Sequence, residues 1–328
     1  NEIEIRGDDD DPSTITISYS NFQGEIITND NGTVNAGSGN INVAPMFVDA
    51  ENGDFNLLAS SRLINAGHPD STDSDGTRSD IGASYYHNTF SGPTWYVKID
   101  GSDLVGKGSS EEPFRSIQSA INFSDTGDSV SVLAGTFYEH INTKGKNIDL
   151  VGQGPGVSII DGSNSGRVVD IAGAMYFAGF TIQNGTDGNQ YQNQDRGGGM
   201  LISQGNNGGA TIANCLFTDN INVNNGSHVK VGEGAPSTFI NCSFKNGAPY
   251  TPIFTDNGSK GATFINCFID SSLISMAETK WLLFKRGKEI VPHPENKSSI
   301  FIFFDFFKKE NVFSKITFSA NFVAWKKP

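Results

Sequence analysis

The sequence predicts an all-β solenoid, a chain wound into short coils that stack along one axis, and three observations predict it. Segments 210–220 (ATIANCLFTDN), 237–247 (STFINCSFKNG) and 262–272 (ATFINCFIDSS) repeat one another. Asn214, Asn241 and Asn266 within them lie 27 and 25 residues apart, a period found in solenoids. The chain of 328 residues also carries 38 Gly and only 18% charged residues, which suits a turn-dense β body.

Each repeat reads as a strand that stops at Asn and restarts at once. Ile212, Cys215 and Phe217 point one way, and Phe239, Cys242, Phe244 and then Phe264, Cys267, Ile269 take the same slots. The alternation breaks only at the Asn, the non-glycine residue most tolerant of left-handed backbone angles. Stacked coils therefore place these side chains in ladders about 4.8 Å apart. The three cysteines share one slot; stacked side chains run parallel, so a buried ladder of free thiols is expected instead of disulfides.

From the N-terminus onward, residues 14–24 fit the same template, with Ile17 in the slot of Ile212 and Phe22 in that of Phe217. Residues 41–86 pass through Phe47, Phe55, Leu57, Leu63 and Ile64 into an acidic stretch, and read as the closing end of a first module spanning 1–90. The turn-rich Ser91-Gly92-Pro93 precedes a second module, 91–272. In it Phe114, Ile117 and Ile121 recur at helical spacing and Pro113 suits a first helical position, which predicts a helix over 113–123. A short amphipathic helix there would cover the open end of the coils, expected over about 130–270. Residues 175–185 (MYFAGFTIQNG) are a further copy. From Gly179 to Asn214 the equivalent slots are 35 residues apart, so about ten residues bulge out between 186 and 199.

The charge is uneven. The net charge is −13, yet residues 1–272 hold 13 basic against 31 acidic side chains. So acidic a body offers no basic stripe to neutralise phosphates and excludes nucleic acid as a partner. No apolar run is long enough to cross a membrane. Residues 273–328 reverse the charge, contain one Gly and nine of the 24 Phe, and match no coil; they are expected not to continue the solenoid, reading as an atypical tail of frameshifted or disordered character. The chain opens inside a strand pattern without Met, and is expected to be part of a longer multidomain protein.

Residues 95–162 resemble the start of right-handed parallel β-helix proteins of the pectin-lyase-like superfamily, close to the DUF1565 type of bacterial secreted and surface proteins. The resemblance rests on Trp95-Tyr96-Val97, Gly101-Ser102, Pro113-Phe114, Ile117-Gln118, Ala120-Ile121, Gly127-Asp128, Ala134-Gly135-Thr136, Gly145-Lys146 and Gly152-Gln153-Gly154-Pro155 through Ile159-Ile160-Asp161-Gly162. It implies a right-handed parallel β-helix in an extracellular or cell-surface setting, and no particular activity.

The chemistry is harder to read. The Asn-Thr-Asp, Asp-Asp and Gly-His-Gly motifs of polygalacturonan-hydrolysing β-helices are missing. The coils offer His140, Lys144, Lys146, Arg167, His228 and Lys230 as candidate bases or cations, without a spacing that makes any two converge. Asp70, Asp73, Asp75 and Asp80, with Gly76 for a tight turn, are the candidate metal ligands. Oxygen donors at this spacing suit Ca²⁺, and a hydrogen-bonded acidic turn with Arg78 as internal partner is the other reading. Tyr191, Asp195 and Arg196 on the inserted loop could stack on and hydrogen-bond a sugar. The expectation is a non-catalytic secreted or cell-surface scaffold that contacts polysaccharide or cell-surface glycans and requires no cofactor. The alternative is a carbohydrate-active enzyme, a polysaccharide lyase or glycoside hydrolase acting on an acidic polysaccharide. Two appearances of the coil face separate these readings: a groove with converging cations and acids for the enzyme, a flat Asn- and Thr-lined surface for the scaffold.

Overall fold

The computed structural model describes residues 3–7, 11–22, 26–186, 197–203, 209–222, 226–232, 236–249, 252–255, 261–270 and 317–318. The chain divides into two compact units, residues 1–133 and 134–328.

In the second unit the fold is the expected parallel β-helix. Strands Asp149–Gly152, Tyr176–Ala178, Thr211–Ala213, Ser237–Ile240 and Ala262–Ile265 stack in parallel as a first face. A second face stacks Gly135–Tyr138, Ser158–Asp161, Thr181–Gln183, Leu216–Thr218, Ser243–Lys245 and Phe268–Ile269. A third stacks Ile141–Asn142, Val169–Ile171, Met200–Ile202, Val229–Val231 and Ile253–Thr255. Register is constant from coil to coil, so each position of one coil lies on its counterpart. Leu150, Phe177, Ile212, Phe239 and Phe264 form one inward row, as the repeat requires. Ile160, Ile182, Phe217, Phe244 and Ile269 form another. Rings stack directly: Phe239 on Phe264 and Phe217 on Phe244, each with centroids 4.9 Å apart.

Two of the three corners of each coil are marked by left-handed residues. At the first, Gly179, Asn214, Asn241 and Asn266 all have left-handed φ, between +52° and +81°. At the second, Asn184, Asp219 and Asn246 do the same. The sequence repeat marks the first corner only; at the second, Asn and Asp alternate and leave no fixed letter. The cysteines are free, as expected, and the two in inner coils are buried. The Cys242 thiol donates to the Ile212 and Ile240 carbonyls at 3.5 and 3.4 Å, and the neighbouring Cys215 thiol pushes its pKa up to about 12.

In the first unit, Thr14–Ile17 pairs in parallel with Thr33–Ala36, and Ile3–Gly7 with Ile26–Asp30, so coil-like winding does precede residue 41. Phe47–Asp49 and Asp54–Leu57 form an antiparallel pair, and Leu57, Leu63 and Ile64 build a core with Ile41, Val43, Phe47, Ile81, Tyr86 and Phe123. Helix α1 runs Ile117–Phe123, four residues shorter at its start than the spacing suggests. Phe114 is held extended instead, its N–H donating to the Tyr96 carbonyl and its own carbonyl accepting from Lys98. Ser116 is the N-cap, its Oγ accepting the Ser119 N–H of the first turn, and the Asp103 carboxylate accepts from the Arg115 and Ser116 N–H groups just ahead of the helix and from the Ser119 hydroxyl. Fully buried Asn122 donates to the Ala59 and Ser61 carbonyls at 2.8 and 2.7 Å, which binds α1 to the 41–86 core. Gly108 has φ +83°, and a Cβ there would lie 2.6 Å from Phe114 and 2.7 Å from Trp95, so only glycine lets the chain pass over these rings.

Two substitutions test this architecture. Phe239→Ala removes a ring from the middle of the inward row and should lower unfolding free energy by about 3–5 kcal/mol, whereas Thr238→Ala beside it should cost under about 1 kcal/mol; equal losses in urea titration would contradict the row. Asn122→Leu strands two buried carbonyls and should cost about 2 kcal/mol or more, read the same way.

Candidate functional site

Because strands alternate and register is constant, the outward side chains of the coils also form columns. On the first face Thr211, Thr238 and Thr263 are directly in register, following Asp149 and Tyr176. Ala213, Ile240 and Ile265 run alongside, and the next column is the corner row Asn214, Asn241, Asn266. All three Asn are exposed, and Asn241 Nδ2 donates to Asn214 Oδ1 at 3.2 Å. This is a flat, regularly spaced surface of hydroxyl, methyl and carboxamide groups without a charge among those nine residues.

The second face is less uniform. Tyr138, Asp161, Gln183, Thr218 and Lys245 follow one another in register. Tyr138 is 71% exposed, whereas Asp161 is buried, its carboxylate accepting from Gln183 Nε2 at 2.7 Å, Asn184 Nδ2 at 2.8 Å and the Ser163 N–H at 2.8 Å. Asp161 thereby fixes the turn 162–167.

The candidate cations separate into distinct settings. Arg167 Nη1 meets Asp170 Oδ1 at 2.7 Å and Nε donates to the Gly197 carbonyl. Lys144, at a left-handed corner, donates its N–H to Asn142 Oδ1. Lys230 is buried on the third face. His140 is exposed, with Nδ1 2.8 Å from the Arg167 carbonyl and Nε2 3.0 Å from Ser165 Oγ. Ser165 is not marked by any motif in the sequence. The available signal was its distance from His140, 25 residues, which is one coil.

His228 is fully buried. Its Nδ1 lies 3.1 Å from Asn220 Nδ2, and Asn220 also donates to the Ile182 carbonyl and accepts from the Gly185 N–H. Its Nε2 faces Gly247, where a Cβ would come within 2.6 Å, and meets no hydrogen-bond partner of good geometry among the described residues. Burial drives the imidazole pKa down to about 4; the Lys245 carbonyl and the Asp219 carboxylate pull the other way and are outweighed.

The four aspartates of the acidic turn are engaged separately. Asp80 accepts the Asn65 and Tyr86 N–H groups, Asp73 accepts the Asp80 N–H, and Asp75 accepts from Thr77 N–H and Oγ1. Asp70 lies 3.9 Å from His68 Nδ1. Arg78 donates to the Gly67 and Ala66 carbonyls and lies 5.8 Å from the centre of the Tyr19 ring, so its partners here are backbone and aromatic. Among the described residues no group of three or more His, Cys, Asp or Glu is arranged to hold a metal ion. Tyr191, Asp195 and Arg196 lie outside the described residues.

No protein-family model matches the chain, and no curated protein matches it. Among solved structures it is similar to a pectin methylesterase crystallised in complex with a hexasaccharide, at 17% identity and a TM-score of 0.38. The match covers 57% of this chain and 56% of that one, so the chain spans about half the length of that protein. No residue role is carried over from it.

Acid should act through His228. An unfolded imidazole binds its proton near pH 6.5, the folded one near 4, so between these values the unfolded chain holds more protons and stability falls as pH is lowered. The loss should be on the order of 3 kcal/mol across that window in urea titrations, and should vanish in His228→Gln. A slope unchanged by that substitution would assign the acid sensitivity elsewhere.

Proposed function

We propose that this chain is the β-helix scaffold of a secreted or cell-surface protein, and that the Thr211, Thr238, Thr263 face is its contact surface for glycans. The observation that supports this most is the flat surface itself: three in-register threonines beside three exposed, left-handed asparagines. A rigid ladder offers hydroxyls and carboxamides already fixed in place, so little side-chain entropy is lost when a partner of repeating hydroxyls settles on it. The threonine methyls and the partly accessible Ile240 and Ile265 provide apolar area for the C–H faces of sugar rings. The acidic body suits neutral polysaccharides better than polyanionic ones.

Arg167 is ion-paired to Asp170, and His228 and Lys230 are buried, which favours the scaffold over a uronate lyase. A longer, multidomain parent protein and an extracellular location belong to the same proposal. A solenoid of this kind grows by the addition of like coils, which suits a module within a larger chain.

The test is binding of the full chain to immobilised neutral and acidic polysaccharides. Retention on neutral polymers is expected, with Thr211→Ala/Thr238→Ala/Thr263→Ala weakening it at least tenfold, about 1.4 kcal/mol, while unfolding in urea stays cooperative. Retention unaffected by the triple substitution would move the contact to another face; absence of retention on every polymer would reject the glycan partner.

A further inference from the structure

His140 and Ser165 occupy the same corner of successive coils, one period apart. His140 Nδ1 is 2.8 Å from the Arg167 carbonyl, and that oxygen can only accept, so Nδ1 carries the proton. In the neutral ring Nε2 is then an acceptor. The group 3.0 Å from it is Ser165 Oγ, whose one proton has two acceptors at equal distance, Nε2 and the Gly162 carbonyl, each 3.0 Å away. Rotation about the Cβ–Oγ bond carries the proton from the carbonyl to Nε2, and the carbonyl holds the hydroxyl when the imidazole is charged.

The placement is held from several sides. Buried Asp161 anchors the turn through three hydrogen bonds, and Ser163 and Asn164 are both left-handed, with φ of +52° and +54°. The His140 ring lies against Gly166, where a Cβ would fall 3.1–3.5 Å from three ring atoms. The Gly166 N–H, next in the chain after Ser165, has no acceptor among the described residues. Both His140 and Ser165 are exposed.

We propose that Ser165, His140 and the Arg167 carbonyl form a nucleophile, base and orienting group that hydrolyse small acyl esters borne on exposed alcohols. The three meet the geometric requirement for an activated serine: nucleophile bonded to base, base bonded to an orienting group. A bond made only to tie coils together would add little, because the parallel ladder already joins them here through Ile141 N–H and the Val168 carbonyl, and exposed side-chain bonds contribute weakly. The site is an open corner, so an acyl group carried on a larger molecule can reach it.

In the reaction Ser165 Oγ attacks the acyl carbon while His140 Nε2 takes its proton. The ester C–O bond breaks and Nε2–H protonates the departing alcohol. Water then attacks the Ser165 ester with Nε2 again as base, releasing the carboxylic acid and restoring the hydroxyl. The Gly166 N–H is available to the oxyanion in both halves. This proposal is independent of the glycan-contact face.

The test uses the full chain with p-nitrophenyl acetate and a fluorophosphonate probe. The expected result is one phosphonyl adduct mapped by peptide mass to Ser165, with p-nitrophenolate release falling by roughly a hundredfold in Ser165→Ala and His140→Gln and unchanged in Ser110→Ala, an exposed serine of the other unit. The adduct map is made on the parent chain, so it stands even if a variant folds poorly. An adduct on any other residue, or ester turnover equal in parent and Ser165→Ala, would overturn the proposal.

Discussion

Everything in the coil unit depends on constant register between parallel strands. Once Ile212 pairs with Phe239 and Phe239 with Phe264, the inward rows, the thiol ladder, the corner asparagines and the outward threonines all follow, because a slip of one residue would turn each inward side chain to solvent. Register in turn depends on the corners. Between the first and second faces the chain must bend within two residues, and left-handed backbone at Asn214, Asn241 and Asn266 does this without interrupting the ladder on either side. Asparagine adds a side chain that reaches the next coil, as Asn241 does to Asn214.

The same constraint explains which features the sequence exposes. The inward row of Ile212, Phe239 and Phe264 is legible because burial demands apolar residues at a fixed period, and the first corner because asparagine is one of few residues suited to it. The second corner is harder to see: Asn184, Asp219 and Asn246 perform one task with two residue types. The start of α1 was overestimated because Phe114 has helical spacing and apolar character, yet its backbone is committed to Tyr96 and Lys98. A side chain can belong to a helix's apolar face while its peptide groups belong to a sheet, and hydrophobic periodicity reports only the former.

Site chemistry was less legible for a related reason. The acidic turn looks like a ligand set because Asp70, Asp73, Asp75 and Asp80 are close in sequence, but carboxylates also cap backbone N–H groups in tight turns, and here three of the four do so. The outward threonines are visible as letters in each repeat, yet alternation alone does not say whether a further layer covers them; the structure shows them partly accessible. His140 was readable as a candidate base, and its partner was not, since nothing marks Ser165 among the serines of this chain except its place one coil later.

That last relation has a wider consequence for solenoids. In a globular domain, residues 25 positions apart have no fixed spatial relation, whereas in a parallel β-helix they are neighbours whenever the period holds. Polar pairs one coil apart, at 23 to 25 residues, recur here with different outcomes: Gly156 N–H to Thr181 Oγ1, Asp161 to Asn184, His140 to Ser165. The first two are at least partly sheltered, and their bonds fix turns. The third is exposed and combines a nucleophile with a base whose proton position is fixed by a carbonyl. Burial therefore separates a corner bond that serves the fold from one that can serve chemistry: a sheltered pair has given up access to any substrate, and an exposed pair has little stabilising effect to account for its order.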